Sequence, residues 1–202
     1  SSAQNGDYPN ATQYFFKTKE LAEQKKDTNF ILNVLSSLTV MHGIRGEHEK
    51  AMNYLNKKLR IDEIQGNKPF ALDYDMLGNL HETAGNFEDA VESYKKGIKI
   101  ASATKDSNSL ASLYCNLGIT LSSNGQLDSA KKYSLLALEI DEKFNRLHGM
   151  ATVYMQLGYI EHKLGNYKIA QNYYSKSLEV GEQISSLELL EELYLLISDN
   201  YK

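Results

Sequence analysis

One cysteine, two prolines and no tryptophan occur in the 202 residues, and each scarcity closes off a class of protein. With Cys115 as the sole thiol, an internal disulfide and a zinc site built from several cysteines are both excluded. Two prolines and 13 glycines are too few for a linker-rich or disordered chain. Long apolar runs are missing as well. The stretch 193–197 is among the longest, far short of the about 20 residues a membrane helix needs. Nor is there an excess of positive charge. The formal net charge is −4, which offers no electrostatic footprint for nucleic acid or for an anionic membrane. With a single cysteine and so no internal disulfide, the expected location is the cytoplasm, with a periplasmic sensory region as the alternative. The 42% hydrophobic content is enough for one substantial core or a continuous array.

What is present is a repeat. A six-residue phrase from Gly to Ala occurs five times: Gly6 to Ala11, Gly46 to Ala51, Gly85 to Ala90, Gly125 to Ala130 and Gly165 to Ala170. Its glycines are 40, 39, 40 and 40 residues apart. Fixed periods of this size mark solenoids, whose units bury their apolar faces only against neighbours. A second landmark, Leu77-Gly78, Leu117-Gly118 and Leu157-Gly158, lies seven residues before the phrase, and Tyr74, Tyr114, Tyr154 and Tyr194 share its grid.

Apolar residues between these landmarks recur at three- and four-residue intervals, as in Leu113, Leu117, Leu121, which is helical periodicity. Each Leu-Gly pair then sits mid-helix, where glycine costs about 0.5–1 kcal/mol against alanine, so its recurrence implies close helix approach. The Gly of the phrase suits a left-handed helix terminus, and Asn86, Gln126 and Asn166 after it suit helix caps. Polar joins separate the units at Asp27-Thr28, Lys68-Pro69 and Asp106-Ser107-Asn108, with Pro69 placed for a first helical turn. The expected architecture is all-α, a single array over 1–202. It comprises an outer helix at 8–26, helix pairs over 28–65, 70–104, 109–144 and 149–184, and a further inner helix over 187–202. The chain opens before an outer helix and closes on an apolar inner one. The expectation is a fragment of a longer array whose open ends mediate self-association.

The order aromatic, Leu-Gly, turn Gly, Ala, aromatic resembles the tetratricopeptide repeat. Tyr74-x-x-Leu77-Gly78, Gly85, Ala90 and Tyr94 follow it in one unit, and Tyr154-x-x-Leu157-Gly158, Gly165, Ala170 and Tyr174 in another. The period exceeds the common 34 residues, Tyr replaces the leading Trp, and the closing Pro is missing. Leu35 and Thr39 stand where the first complete unit should have Tyr and Gly. The long period is similar to repeats of kinesin light chains, bacterial peptide-pheromone regulators and sensory regions of bacterial signalling proteins. The resemblance implies a right-handed superhelix (a TPR-like α-solenoid) whose first helices line a concave groove for peptides or protein segments.

On such a helix the groove-facing positions lie one and five residues after the Tyr. They are Ser36 and Val40, Asp75 and Asn79, Cys115 and Ile119, Met155 and Tyr159, with Glu82, Ser122 and His162 extending the stripe. Asn79 and Tyr159 are the preferred anchors, by amide bonding to a peptide backbone and by aromatic packing. The inner segments 28–44, 70–84, 109–123 and 187–201 contain no Lys or Arg, and Lys163 is the sole basic residue of 149–164. The expected partner is therefore an apolar or basic segment rather than an acidic one, with no nucleic acid and no membrane.

A search for catalysis finds little. Five histidines form no His-Glu-x-x-His and no paired spacing. His42 and His81 occupy equivalent positions that pack between helices, without accompanying metal ligands. Cys115 has no nearby basic residue in sequence to activate it. No catalytic residue, metal or cofactor is expected, and the chain reads as no enzyme. The leading reading is a non-catalytic protein- or peptide-binding module, the scaffolding or sensory part of a larger signalling protein. The alternative is a pheromone-type regulator whose superhelix tightens on a short peptide.

Overall fold

A computed structural model describes residues 27–200, so the phrase at Gly6 and the helix expected over 8–26 lie outside the described residues. The chain divides into two compact units, Ser1–Pro69 and Phe70–Lys202. Among the described residues every regular element is an α-helix. The first unit holds α1 (Thr28–Ile44) and α2 (His48–Gln65). The second holds α3 (Ala71–Thr83), α4 (Phe87–Thr104), α5 (Ser107–Ser123), α6 (Leu127–Lys143), α7 (Leu147–Lys163), α8 (Tyr167–Gln183) and α9 (Leu187–Asn200).

The turn glycines do what their spacing requires. Gly46, Gly85, Gly125 and Gly165 all have φ between 71° and 79°, a region open to glycine without steric cost. The amide after each reaches back to close the helix: Asn86 N to His81 O at 2.9 Å, Gln126 N to Leu121 O at 2.8 Å, Asn166 N to Glu161 O at 2.8 Å. This 6→1 bond is a Schellman closure. Asn86, Gln126 and Asn166 do occupy N-cap positions, yet none caps with its side chain. Each contributes its backbone carbonyl instead, to Ala90, Ala130 and Ala170, and the Asn166 side chain turns back to Glu161.

The joins between pairs use the same closure without glycine in the second unit. Lys105, Asn145 and Ser185 stand at φ 51–56°, and Asp106, Arg146 and Ser186 close onto Ala101, Asp141 and Gly181. The chain thus re-enters the helix immediately, and α5 and α7 begin two residues ahead of the expected 109 and 149. Asp106 caps α5 by accepting from Ser109 N at 3.1 Å. Pro69 precedes α3 rather than forming its first turn, because Phe70 is extended (φ −81°, ψ 150°).

In the second unit consecutive helices pack as pairs, and each outer helix (α4, α6, α8) also packs on the next inner one. The inner helices α3, α5, α7 and α9 additionally touch one another in a row. The mid-helix glycines set how closely a pair can approach. A Cβ on Gly78 would lie 2.6 Å from Tyr94 Cδ1, and one on Gly158 would lie 2.5 Å from Tyr174 Cδ1. Tyr94 is fully buried through that gap, among Ala71, Ala90, Leu113, Leu117 and Leu121. In the middle pair Ser134 takes the ring's place. The space at Gly118 is shared by Ser134 Oγ (2.8 Å from a built Cβ) and Gln156 Nε2 (2.6 Å).

The tyrosine grid forms aromatic pairs, Tyr114 with Tyr133 at 5.9 Å and Tyr154 with Tyr173 at 6.3 Å between ring centroids. In the first unit His42 fills the corresponding role, stacked on Tyr54 at 5.2 Å and bonded through Nδ1 to Glu47 Oε2. Val34, Leu38 and Met41 complete that small core.

Buried charge is matched at the joins. Glu161 on α7 is fully buried, lies 2.6 Å from Lys131 Nζ on α6 and accepts from Asn166 Nδ2 at 2.8 Å. Burial pushes its carboxyl up, and the bonds from Lys131 and Asn166 outweigh that, holding it below the usual range. Asp62 in the first unit is matched by Lys58 at 3.3 Å and Asn67 at 3.1 Å.

Two consequences can be measured. Gly78→Ala should lower unfolding free energy by about 1–3 kcal/mol through overpacking against the Tyr94 ring. Gly43→Ala, which meets nothing within 4 Å, should be neutral or slightly stabilising; equal effects in urea denaturation would refute the close-approach account. Lys131→Met should cost about 1–2 kcal/mol at neutral pH by stranding a buried carboxylate. Because that carboxyl is held low, the pair's contribution is present above the unfolded carboxylate's titration and vanishes as pH falls through the folded one. The gap between wild type and variant should therefore close below about pH 4, and a gap constant from pH 7 to about pH 3 would contradict the assignment.

Candidate functional site

The inner row of the second unit presents two lanes and a cavity. The first lane is the position after each Tyr, and it is not free surface. Asn116 Nδ2 on α5 donates to Asp75 Oδ1 on α3 at 2.9 Å. One pair further on, Cys115 Sγ donates to Gln156 Oε1 at 3.6 Å and Gln156 Nε2 donates to Cys115 O at 3.4 Å. The next member, Met155, is buried in an apolar cluster with Ala170, Tyr174 and Leu193, against which Leu196 packs. Asp75 and Cys115 thus each meet the residue two after the Tyr on the following helix, and the lane changes from polar bonds to apolar packing along the unit. Met155 is consequently a packing residue between inner helices, not a groove-facing one.

The second lane, five residues after the Tyr, is open. Asn79 and Ile119 are exposed and Tyr159 is half-buried, with Lys163 Nζ 5.2 Å from the Tyr159 ring centroid. Asn79 is held from behind. The Tyr94 hydroxyl, arriving from α4 past Gly78, donates to Asn79 Oδ1 at 2.7 Å and stands 3.2 Å from Glu82 Oε2. That bond orients the amide and leaves its NH₂ outward as a donor. Burial first, then the Glu82 and Asp75 charges, drive the Tyr94 hydroxyl far above its ordinary range, so it remains a donor.

Of the extending positions, Glu82 belongs to this Tyr94 cluster. His162 is half-buried and meets the Tyr167 ring edge-on at 5.1 Å. Ser122 is buried, its place taken into the helix interface rather than the lane. Ser36 and Val40 lie in the first unit. Ser36 Oγ donates to Leu32 O at 3.1 Å, and Val40 is 47% exposed.

Sequence reasoning missed the cavity. A space of about 670 Å³ opens against the N-terminal halves of α5 and α7, lined by Asp75, Ser112, Cys115, Asn116, His148 and Thr152 among others. Ser112 with Thr152, and Asn108 with His148, stand 40 residues apart, so the period carried the signal, although both pairs precede the Tyr that anchored the expected stripe. Arg146 closes one wall. It donates through Nε to Asp141 Oδ1 at 2.9 Å, through Nη2 to Ser107 O at 3.2 Å and through Nη1 to Asn108 Oδ1. Gly149 makes room for this, since a Cβ there would lie 2.7 Å from the Asp141 carboxyl carbon. Burial raises the Asp75 carboxyl above its usual range, with Asn116 opposing. Burial, then Asp141 and Asp75, push the Cys115 thiol up to about 12, which makes it a poor nucleophile. Among the described residues no group of three His, Cys, Asp or Glu could hold a metal ion, and no helix is long and apolar enough to cross a membrane.

Comparison with known proteins agrees with this arrangement. No curated protein matches the chain. The apo form of RapI has a TM-score of 0.86 at 18% identity, over 98% of this chain and 77% of that one. Aspartyl phosphate phosphatase F from Bacillus subtilis has a TM-score of 0.81 at 19% identity, over 95% of this chain and 50% of that one. BtubC from P. vanneervenii has 0.74 at 18%, over 100% of this chain and 87% of that one. At such identities the likeness is one of fold. Two models of the tetratricopeptide repeat match residues 70–143 and 151–181, together just over half of the sequence, and the chain belongs to the tetratricopeptide repeat family.

Proposed function

We propose that the chain is a non-catalytic module that binds a protein or peptide segment along its inner helices, as the scaffolding or sensory part of a larger signalling protein. The observation that carries this reading is the open lane of Asn79, Ile119 and Tyr159: an oriented amide, an aliphatic and an aromatic side chain on three successive, mutually packed helices. Rigid presentation lowers the ordering cost of binding, and an amide beside apolar anchors suits an extended segment, whose backbone needs donors and whose side chains need pockets. Ser36 and Val40 would serve in the first unit, with Glu82, Cys115 and His162 beside the lane. The lack of Lys and Arg in 70–84 and 109–123, with Asp75 and Glu82 present there, favours apolar or basic segments over acidic ones.

The likeness to a structure described as an apo form favours a second reading, in which a short peptide tightens the inner row and switches an attached domain. Leu187, Tyr194 and Leu195 on α9 are exposed and would support self-association through that face. A displayed library of random peptides tests the main reading. Wild type should enrich neutral or basic sequences with apolar residues, and Asn79→Ala with Tyr159→Ala should weaken them about ten-fold or more. The same peptides retained at equal affinity by a variant with unchanged helical content would move function away from this lane.

A further inference from the structure

We infer that the cavity beside Asp75 is a subsite for one lysine or arginine side chain of the bound segment. This rests on the inner helices being the binding face and adds where the segment's positive charge sits. Two carboxylates line the cavity, Asp75 and Asp141, and one guanidinium, Arg146. That cation is committed. Asp141, Ser107 and Asn108 take all three of its nitrogens, and it balances Asp141. Among the described residues Asp75 has no cation. Its Oδ1 is bonded by Asn116 Nδ2 at 2.9 Å, which is neutral, and no donor of the described residues meets its Oδ2. The buried Glu161, by comparison, has Lys131 at 2.6 Å.

The neutral groups around Asp75 point to the same ligand. The Asn116 amide spends a hydrogen on Asp75 and turns its carbonyl oxygen free. Thr152 Oγ1 donates to His148 O at 3.0 Å, leaving its oxygen to accept, and the exposed Ser112 hydroxyl stands on the rim. Asp75, Asn116, Thr152 and Ser112 thus bring acceptor oxygens to the lining of one cavity. Ammonium carries three donors and guanidinium five, and neither accepts, so each is the complement of that set. A carboxylate or phosphate would meet Asp75 and find the only guanidinium already engaged. The space is open to solvent, and its volume of about 670 Å³ leaves room for the aliphatic stem to lie along Ala111 and Leu147 while the head reaches Asp75. Ile119 follows Cys115 by one helical turn, so the cavity adjoins the open lane, and the segment is bipartite: a basic residue in the cavity and apolar residues along Ile119 and Tyr159.

The test is a positional-scanning peptide array probed with the intact chain, its Asp75→Asn variant and its Ser112→Lys variant. Asp75→Asn keeps the shape and an acceptor for Asn116. Ser112→Lys, at an exposed position, supplies a tethered ammonium and guards against a folding defect at Asp75. Wild type should select Lys or Arg at one position and apolar residues at neighbouring ones, with a preference over glutamine of about ten-fold, the effect of a partly desolvated charge pair. Both variants should lose that preference and keep the apolar one. A basic preference that survives both substitutions would overturn the subsite while leaving the binding face intact. Binding that depends on Tyr159 without any basic preference would do the same. Absence of any peptide binding would overturn both readings together.

Discussion

The structure depends on how closely two helices of a pair can approach, and that distance is set where a side chain is missing. Gly78 and Gly158 let the rings of Tyr94 and Tyr174 pass where a Cβ would collide. The gap at Gly78 has a consequence on the far side of the pair. The ring enters from the outer helix, is fully buried, and its hydroxyl emerges at Asn79 and Glu82. A packing device thereby fixes the orientation of an amide on the open lane. At Gly118 the same gap is filled differently, by Ser134 and by Gln156 from the next inner helix. The saved volume is spent on a bond between successive pairs, to the backbone and thiol of Cys115.

Charge is handled by a second rule. Three buried carboxylates are each answered by a cation, Asp62 by Lys58, Asp141 by Arg146 and Glu161 by Lys131, and Asn67 and Asn166 add amides to the first and last. Desolvation without such an answer is expensive. Asp75 departs from the rule, with one neutral amide and a raised titration. An uncompensated carboxylate in a cavity is a cost to folding, and natural sequences concentrate such costs where function draws on them.

The inner row therefore divides its work. The position after each Tyr stitches neighbouring helices, by polar rungs at Asp75–Asn116 and Cys115–Gln156 and by apolar packing at Met155. The position four residues on remains exposed or half-buried. Similar folds at 18–19% identity carry differently named proteins, so the fold by itself does not assign a function.

The sequence by itself determined the helices, their pairing and the glycine closures, because a 40-residue period, a 3.6-residue apolar rhythm and the steric freedom of glycine are local properties. It also picked out Asn79, Ile119 and Tyr159, which the fold leaves exposed or half-buried, since one helix face follows from spacing. It missed the positive-φ residues Lys105, Asn145 and Ser185. Nothing in their side chains requires that conformation; the closure onto the preceding turn imposes it. It misplaced Met155 and Ser122, because the width of a groove face depends on how near the next helix lies. The cavity was decided by the tertiary structure alone. Asp75, Asn116 and Arg146 come from two helices and a join, and only their packing determines which carboxylate receives the cation and which is left without one.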